Sequence, residues 1–128
     1  MSALVKGSGS DRGARGERIA GALLQKEGYT VRARNFRSRT GEIDIVAEKD
    51  GTVAFVEVKS WAAFGPSELE YSINRRKRAR IVDTARLYMA FHPDMMNKKT
   101  RFDVVFIGQG DSDRGVRHIE DAFSGDVR

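Results

Sequence analysis

Two acidic residues and one lysine are spaced so that they could share one face of a pair of β-strands. Glu57 and Lys59 are two positions apart in a run of β-branched and aromatic residues, and Asp44 lies in the preceding run of that kind. Side chains two apart on a strand point to the same side of the sheet. If the Asp50-Gly51 turn joins the two runs as a hairpin, Asp44 reaches that side as well. A carboxylate pair and an ammonium group are therefore predicted to converge. The opposite side, which faces the core, is predicted to carry Ile43, Ile45, Val56 and Val58.

The chemistry predicted for this trio is the hydrolysis of a phosphodiester with a divalent metal ion. Buried carboxylates need a cation, and Mg²⁺ or Mn²⁺ takes oxygen ligands. Asp44 and Glu57 would be ligands, the backbone carbonyl of Val58 a further one, and Lys59 would orient a water or neutralise developing charge. The alternative is a cross-strand salt bridge between Lys59 and its acidic neighbours, which the Glu-x-Lys tripeptide taken alone favours. Glu42 has the same strand parity as Asp44 and is left open between a third ligand and a solvent-exposed residue.

Hydrophobic periodicity and turn residues predict the elements that position the trio. They are a helix over residues 15–26, strands over 29–36, 43–47 and 53–58, a helix over 74–91, and strands over 101–107 and 116–119. Gly28 is placed to end the first helix, and Asn74 is placed to cap the second. The order predicts an α/β fold with a mixed β-sheet flanked by helices.

Length and composition limit the classes of protein to which the chain can belong. Its 128 residues fit one domain, predicted over residues 12–123 between flexible tails at 1–11 and 124–128. The absence of cysteine excludes disulfides, thiolate zinc sites and a cysteine nucleophile. No apolar run approaches the roughly 20 residues of a membrane helix, so we expect a cytoplasmic location and no membrane partner. The net charge of +5 favours a polyanion partner.

Basic residues in two parts of the chain are candidates for binding the phosphates of a nucleic acid. They are Arg34, Arg37, Arg39, Arg75, Arg76, Lys77 and Arg78. The alternative is a solvated basic face. Trp61 and Phe64 could stack on unpaired bases, although packing at the edge of the core is the commoner fate of such residues.

Five segments of the chain together resemble a known family of bacterial proteins. They are Arg15-Gly16-Glu17, Arg34-Asn35-Phe36-Arg37, the segment from Gly41 to Ala47, the segment from Phe55 to Lys59, and Arg101-Phe102-Asp103-Val104-Val105. Asp44 followed by Glu57-Val58-Lys59 resembles the PD-(D/E)xK nuclease motif, and the full set resembles the YraN family, which is similar in fold to archaeal Holliday-junction resolvases.

The resemblance implies a restriction-endonuclease-like fold and a role for each matching residue. Glu17 would be an outer acidic residue of the catalytic site, Asp44 and Glu57 the metal ligands, and Lys59 the catalytic lysine. Lys77 falls where the family has a helix lysine near the site. The chain departs from the family pattern near Trp61 and over residues 68–72. The family's substrate contacts are therefore not carried over to these positions, while the metal-binding positions are intact.

The function expected from these features is a Mg²⁺- or Mn²⁺-dependent endonuclease acting on DNA, including branched or flapped forms. One alternative is a nucleic-acid-binding module that does not cut. Another is an adaptor whose Trp61, Phe64 and Tyr71 meet a protein partner. Two symmetric cuts in a junction would need two sites, so a homodimer is a further expectation.

Overall fold

The computed structural model describes residues 10–60, 73–108 and 115–125. Its elements are α1 (Ser10–Lys26), β1 (Thr30–Ser38), β2 (Gly41–Lys49), β3 (Thr52–Ser60), α2 (Arg75–Phe91), a 3-10 turn (Pro93–Met95), β4 (Lys99–Ile107) and β5 (Val116–Phe123). The five strands form one sheet in the order β1-β2-β3-β4-β5, and the two helices cover its opposite faces. The α/β prediction is confirmed, and the mixed sheet is consistent with a restriction-endonuclease-like fold.

The hairpin between β2 and β3 follows from its two turn residues. Asp50 and Gly51 have φ angles of 51° and 79°. Positive φ at both central positions is what a type I′ turn requires. The two strands pair antiparallel from Lys49 opposite Thr52 to Ile45 opposite Val56. The predicted hairpin is therefore confirmed, and it sets the register between the strands of Asp44 and Glu57.

The β3 and β4 strands run parallel, and α2 lies on the connection between them. A parallel pair needs such a crossover, because a tight turn can join only antiparallel strands. The Asn74 side chain accepts a hydrogen bond from the Lys77 N–H at 2.9 Å, which confirms Asn74 as the N-cap of α2. The cap fixes where α2 begins above the sheet.

Each face of the sheet has its own hydrophobic core. The core on the α1 side contains Ala20, Leu24, Tyr29, Ile45, Ala47, Ala54, Val56, Val105 and Ile107. The core on the α2 side includes Val46, Val53, Phe55, Ile81, Val82, Ala85, Tyr88, Phe102 and Val104. Successive residues of β3 enter opposite cores, which explains why its sequence is almost continuously apolar.

The alternation of side chains is interrupted on β1 and β2, and here the sequence-based expectation was wrong. Strand parity placed Ile43 and Ile45 on one face, whereas Ile45 packs on the α1 side and Ile43 on the α2 side. The cause lies on β1, where Asn35 has a φ of 54° between the residues opposite Ile43 and Ile45. This left-handed residue rotates the following strand, and Phe36 packs on α2. The change of face occurs at the position of Asp44.

Several element boundaries differ from the sequence-based expectation. The α1 helix begins at Ser10 rather than at residue 15, and β5 continues to Phe123 rather than ending at residue 119. Trp61, Phe64 and Tyr71, with residues 68–72, lie outside the described residues. In the described part of the chain, no helix has the length and apolar character needed to cross a bilayer.

Candidate functional site

The structure places Asp44 and Glu57 on the wall of one small cavity between the sheet and α2. Its volume is about 140 Å³. The described residues that line it are Gly41, Glu42, Asp44, Glu57, Lys77, Arg80 and Ile81. Two carboxylates predicted to act together therefore open into the same space, with two cationic side chains from α2 opposite them.

The Asp44 carboxylate is fixed by the backbone of the neighbouring strand. Asp44 Oδ2 accepts a hydrogen bond from the Val58 N–H at 2.8 Å. The β2–β3 pairs end at Ile45 opposite Val56, so this side-chain bond follows the last rung of the ladder. A carboxylate held by a backbone N–H cannot rotate freely, so the position of Asp44 is fixed relative to β3.

Glu57 is buried in the protein and is paired with a lysine from α2. Only 8 % of Glu57 is exposed. The Lys77 ammonium lies 2.9 Å from Glu57 Oε2. Burying an unpaired carboxylate costs several kcal/mol, and this ion pair offsets part of that cost. The helix lysine expected near the site from the family resemblance does lie there.

Lys59 is half-buried, two residues beyond Glu57 on the same strand. Burial lowers the pKa of Lys59, and the charge of Lys77 lowers it further. The carboxylates of Glu57 and Asp44 raise this pKa but do not restore the usual value. Lys59 therefore releases a proton more readily than a solvated lysine does, as is common for lysines at functional sites.

Glu17 projects from α1, and its Oε1 accepts a hydrogen bond from Asn35 Nδ2 at 3.2 Å. Asn35 occupies the β1 position opposite Asp44, between the pairs Arg34–Ile45 and Phe36–Ile43. Among the described residues, Glu17 is not part of the cavity wall. Asn35 thus bridges Glu17 to the strand that bears Asp44.

The turn between β1 and β2 is tied to α2 by the hydroxyl groups of partly buried Thr40 and fully buried Thr84, which the sequence did not single out. Thr84 Oγ1 is hydrogen-bonded to Thr40 Oγ1 at 2.7 Å and donates to the Arg80 carbonyl at 2.8 Å. A Cβ at Gly41, which has a φ of 148°, would lie 3.2 Å from Thr84 Oγ1. This contact holds one wall of the cavity against α2. No periodicity marks Thr84, because its role depends on a residue 44 positions away.

Two further cavity residues were weighed from the sequence but not assigned to the site. Glu42 was left open between a third ligand and a solvent-exposed residue, and Arg80 belongs to the run of basic residues at the start of α2. Both line the cavity. Glu42 also forms an ion pair with Arg37, at 3.4 Å. A third carboxylate is therefore present at the rim, already facing an arginine.

The predicted phosphate-binding residues do not form one surface. Arg34 lies on the α1 side, where a Cβ at Gly21 would lie 2.6 Å from its guanidinium. Arg78 donates to the Ile73 carbonyl at 2.9 Å and lies over the ring of Phe123. Arg34 is exposed on the α1 side, and Arg37, Arg39, Arg75 and Arg76 are exposed as well. The basic residues nearest the cavity are therefore those of the first turns of α2 and of the β1–β2 turn.

The oxygen donors at the cavity fit a divalent ion that retains several waters. Within the described ranges, no group of three or more Asp, Glu or His side chains is arranged as a metal cage. Mg²⁺ bound for phosphate chemistry commonly uses only one or two carboxylates and leaves other positions to water and substrate. Asp44 and Glu57 supply such a pair.

A second cluster of charged side chains lies on the α1 side of the sheet, away from the cavity. We call it the buried ionic network, and its members are Glu27, Tyr29, Arg101, Asp103, His118 and Glu120. Asp103 is fully buried at its centre. Its Oδ1 accepts from Arg101 Nε and the Asp121 N–H, and its Oδ2 accepts from Arg101 Nη2 and His118 Nε2. Burial raises the pKa of Asp103, but these bonds outweigh it and the net shift is downward.

His118 of the buried ionic network faces a carboxylate with each ring nitrogen. Nε2 lies 2.8 Å from Asp103 and Nδ1 lies 2.7 Å from Glu27. Because a carboxylate can only accept, both nitrogens must carry protons to make both bonds. Burial lowers the pKa of His118, yet the bonds to Asp103 and Glu27 raise it above the usual value overall. The imidazolium thereby links the end of α1 to β4 and β5.

Comparison with known proteins identifies relatives along most of the chain. The family model described as uncharacterised protein family UPF0102 matches residues 16–107. A UPF0102 protein of Persephonella marina is 40 % identical over 112 residues, which cover 88 % of this chain and 92 % of the relative. One from Rhodopseudomonas palustris is 37 % identical over 107 residues, covering 84 % and 78 %. One from Nitratidesulfovibrio vulgaris is 39 % identical over 111 residues, covering 87 % and 82 %. The chain therefore belongs to the UPF0102 family, which is the YraN-like family expected from its motifs.

Proposed function

We propose that this protein is a Mg²⁺- or Mn²⁺-dependent endonuclease that hydrolyses phosphodiester bonds in nucleic acid, with DNA as the substrate. The observation that carries the proposal is the placement of Asp44 and Glu57 on one cavity, with Lys59 two residues beyond Glu57 on β3. The resemblance to PD-(D/E)xK nucleases gives these positions their roles. The preference for branched or flapped DNA rests on that resemblance alone.

The roles proposed for the side chains follow from their chemistry. Asp44 and Glu57 would hold the divalent ion, with the Val58 carbonyl as a further oxygen donor. Such an ion, when bound, would polarise the phosphate and make a coordinated water more acidic. Lys59 would direct its ammonium at the attacking water or at the charge that develops on the phosphate. Glu17, joined to this region through Asn35, would act from the outer side.

The proposed reaction is a simple hydrolysis. The oxygen of water forms a new bond to phosphorus, and the bond from phosphorus to one sugar oxygen breaks. One product ends in a phosphate monoester and the other in a hydroxyl group, which takes up a proton. The basic residues exposed near the cavity, Arg37, Arg39, Arg75 and Arg76, would hold the strand by its phosphates.

The test is cleavage of labelled single-stranded, duplex, flap and four-way-junction DNA, with Mg²⁺, Mn²⁺ or EDTA. We expect metal-dependent cleavage that Asp44→Asn and Lys59→Ala each reduce by about 100-fold or more. Asp44→Asn is a mild change, since the amide oxygen can still accept the Val58 N–H. The matched control is Asp83→Asn, which removes an exposed carboxylate ion-paired with Arg86 on α2 and should leave cleavage unchanged. Equal cleavage by the wild type and both site variants would reject the assigned site.

A second candidate function is a nucleic-acid-binding module that does not cut. The specific observation in its favour is the Lys77–Glu57 ion pair, which satisfies the buried carboxylate without a metal ion. Salt-sensitive binding of one DNA form, with no cleavage under any metal condition, would support this module over the enzyme. The adaptor alternative depends on Trp61, Phe64 and Tyr71, which are outside the described residues.

Two further proposals concern the location and the oligomeric state of the protein. We propose a cytoplasmic location and a homodimer that would present two cavities to a junction. Sedimentation of the purified protein with and without junction DNA tests the second. A single protomer bound per junction would count against a dimer.

A further inference from the structure

The ion pair between Lys77 and Glu57 has a consequence for metal binding. Glu57 is 8 % exposed, and the Lys77 ammonium lies 2.9 Å from its Oε2. The lysine thus stands at a carboxylate that the proposed function needs as a metal ligand. One of the two oxygens of Glu57 is therefore already in contact with a cation.

The backbone of Lys77 is anchored, whereas its side chain can move. The Lys77 N–H donates to the Asn74 side chain at the N-cap, so the first turn of α2 holds the Cα position. The Lys77 side chain is 37 % exposed, and its four-carbon stem has several rotatable bonds. The ammonium can therefore leave Glu57 for solvent without displacing the helix.

The Lys77 ammonium and a divalent ion would compete for Glu57 Oε2. The ammonium already lies 2.9 Å from this oxygen, and an oxygen that ligates Mg²⁺ lies about 2.0–2.1 Å from the ion. Repulsion between the two charges is strong in a partly buried site. We propose that Lys77 is a tethered competitor of the divalent ion, which holds Glu57 in the metal-free protein and sets the ion concentration at which the site loads. This inference rests on the proposed metal site.

Calorimetric titration with Mn²⁺, without nucleic acid and at fixed ionic strength, tests the competition. We expect Lys77→Met to bind Mn²⁺ about three- to tenfold more tightly than the wild type, because the ion no longer displaces a partly exposed ion pair. Lys77→Gln keeps a hydrogen-bond donor beside Glu57 and removes the charge, so it should also bind Mn²⁺ more tightly than the wild type. This second variant keeps the test open if Lys77→Met does not fold.

The matched control is Arg80→Met, which removes one positive charge from the wall of the same cavity. We expect its effect to be smaller, about twofold, because only screened long-range repulsion is relieved. Equal tightening by Arg80→Met and Lys77→Met would overturn the proposal in favour of general electrostatics.

Glu57→Gln separates this inference from the proposed function. Loss of Mn²⁺ binding in Glu57→Gln, with equal affinity in the wild type and both Lys77 variants, would refute the competitor and leave the metal site standing. Absence of Mn²⁺ binding from every protein tested, the Lys77 variants included, would refute the metal site and this inference with it.

Discussion

Replacing Asp103 with asparagine tests how much the buried ionic network stabilises the fold. Each Asp103 oxygen accepts two hydrogen bonds, from Arg101 Nε and the Asp121 N–H on one side and from Arg101 Nη2 and His118 Nε2 on the other. An asparagine keeps one of these oxygens. Whichever way it is turned, its NH₂ group faces a nitrogen of Arg101 and cannot accept from it, so at least one bond to Arg101 is lost. Both cationic partners, Arg101 and His118, also lose their counter-charge.

The expected loss of unfolding free energy is large for a change of so few atoms. Breaking a buried ion pair by removing one partner costs about 3–5 kcal/mol. The lower end applies here, because the Arg101 side chain is partly exposed and lies 3.7 Å from Glu120 as well. A loss of about 3 kcal/mol corresponds to a fall in melting temperature of about 10–15 °C for a domain of this size.

Urea unfolding followed by circular dichroism measures this loss, with Asp83→Asn as the matched control. The control makes the same chemical change at an exposed carboxylate, where a surface ion pair contributes less than about 1 kcal/mol. A loss below about 1 kcal/mol in Asp103→Asn would refute the reasoning, since it would mean that water replaces the missing partners.

Substitutions of His118, Lys59 and Thr84 test three further contributions to stability. Burial lowers the pKa of His118, but the carboxylates of Asp103 and Glu27 raise it above the ordinary value of 6.5 overall. The stability that protonated His118 contributes is therefore fully present below pH 6.5 and is lost as the pH rises through the raised pKa of the folded protein. Urea unfolding from about pH 5.5 to about pH 9 should show this loss in the wild type and a flatter profile in His118→Gln. Burial lowers the pKa of Lys59, so its charge opposes folding at neutral pH, and Lys59→Met should unfold at the same or a higher urea concentration while losing cleavage. Thr84→Val should lower the unfolding free energy by about 1 kcal/mol, because it removes the hydroxyl bonded to Thr40; an unchanged urea midpoint would contradict that role.

The parts of the fold that depend on local chemistry could be predicted from the sequence. Asp50-Gly51 specifies a turn because only certain residues adopt positive φ readily, and Asn74 specifies a helix start because its side chain replaces a missing backbone partner. The apolar run of β3 predicts a strand because β-branched and aromatic residues pack well on a pleated sheet. Asp44 and Glu57 reach one cavity because this hairpin sets their register.

The parts that depend on distant contacts could not be predicted. Strand alternation gave the wrong face for Ile43, because nothing in a periodic pattern reveals that Asn35 is left-handed. From the strand residues alone, the alternative to a metal ion was a salt bridge with Lys59, whereas the structure pairs Glu57 with Lys77 from a helix 20 residues on, which only the family resemblance placed near the site. Asp103 was recognised only as part of a motif, since two of its hydrogen-bond partners, His118 and Asp121, come from β5. Such contacts exist only once the sheet and both helices have assembled.

Crystals of the protein with a short DNA duplex and Mn²⁺, measured at a wavelength where manganese scatters anomalously, test the proposed site most directly. The proposal predicts one manganese peak within about 2.0–2.6 Å of oxygens from both Asp44 and Glu57, with a DNA phosphate on its open side. It also predicts that the Lys77 ammonium has left Glu57. A manganese peak elsewhere would contradict the metal site, whereas Lys77 still against Glu57 at saturating Mn²⁺ would contradict only the competition by Lys77.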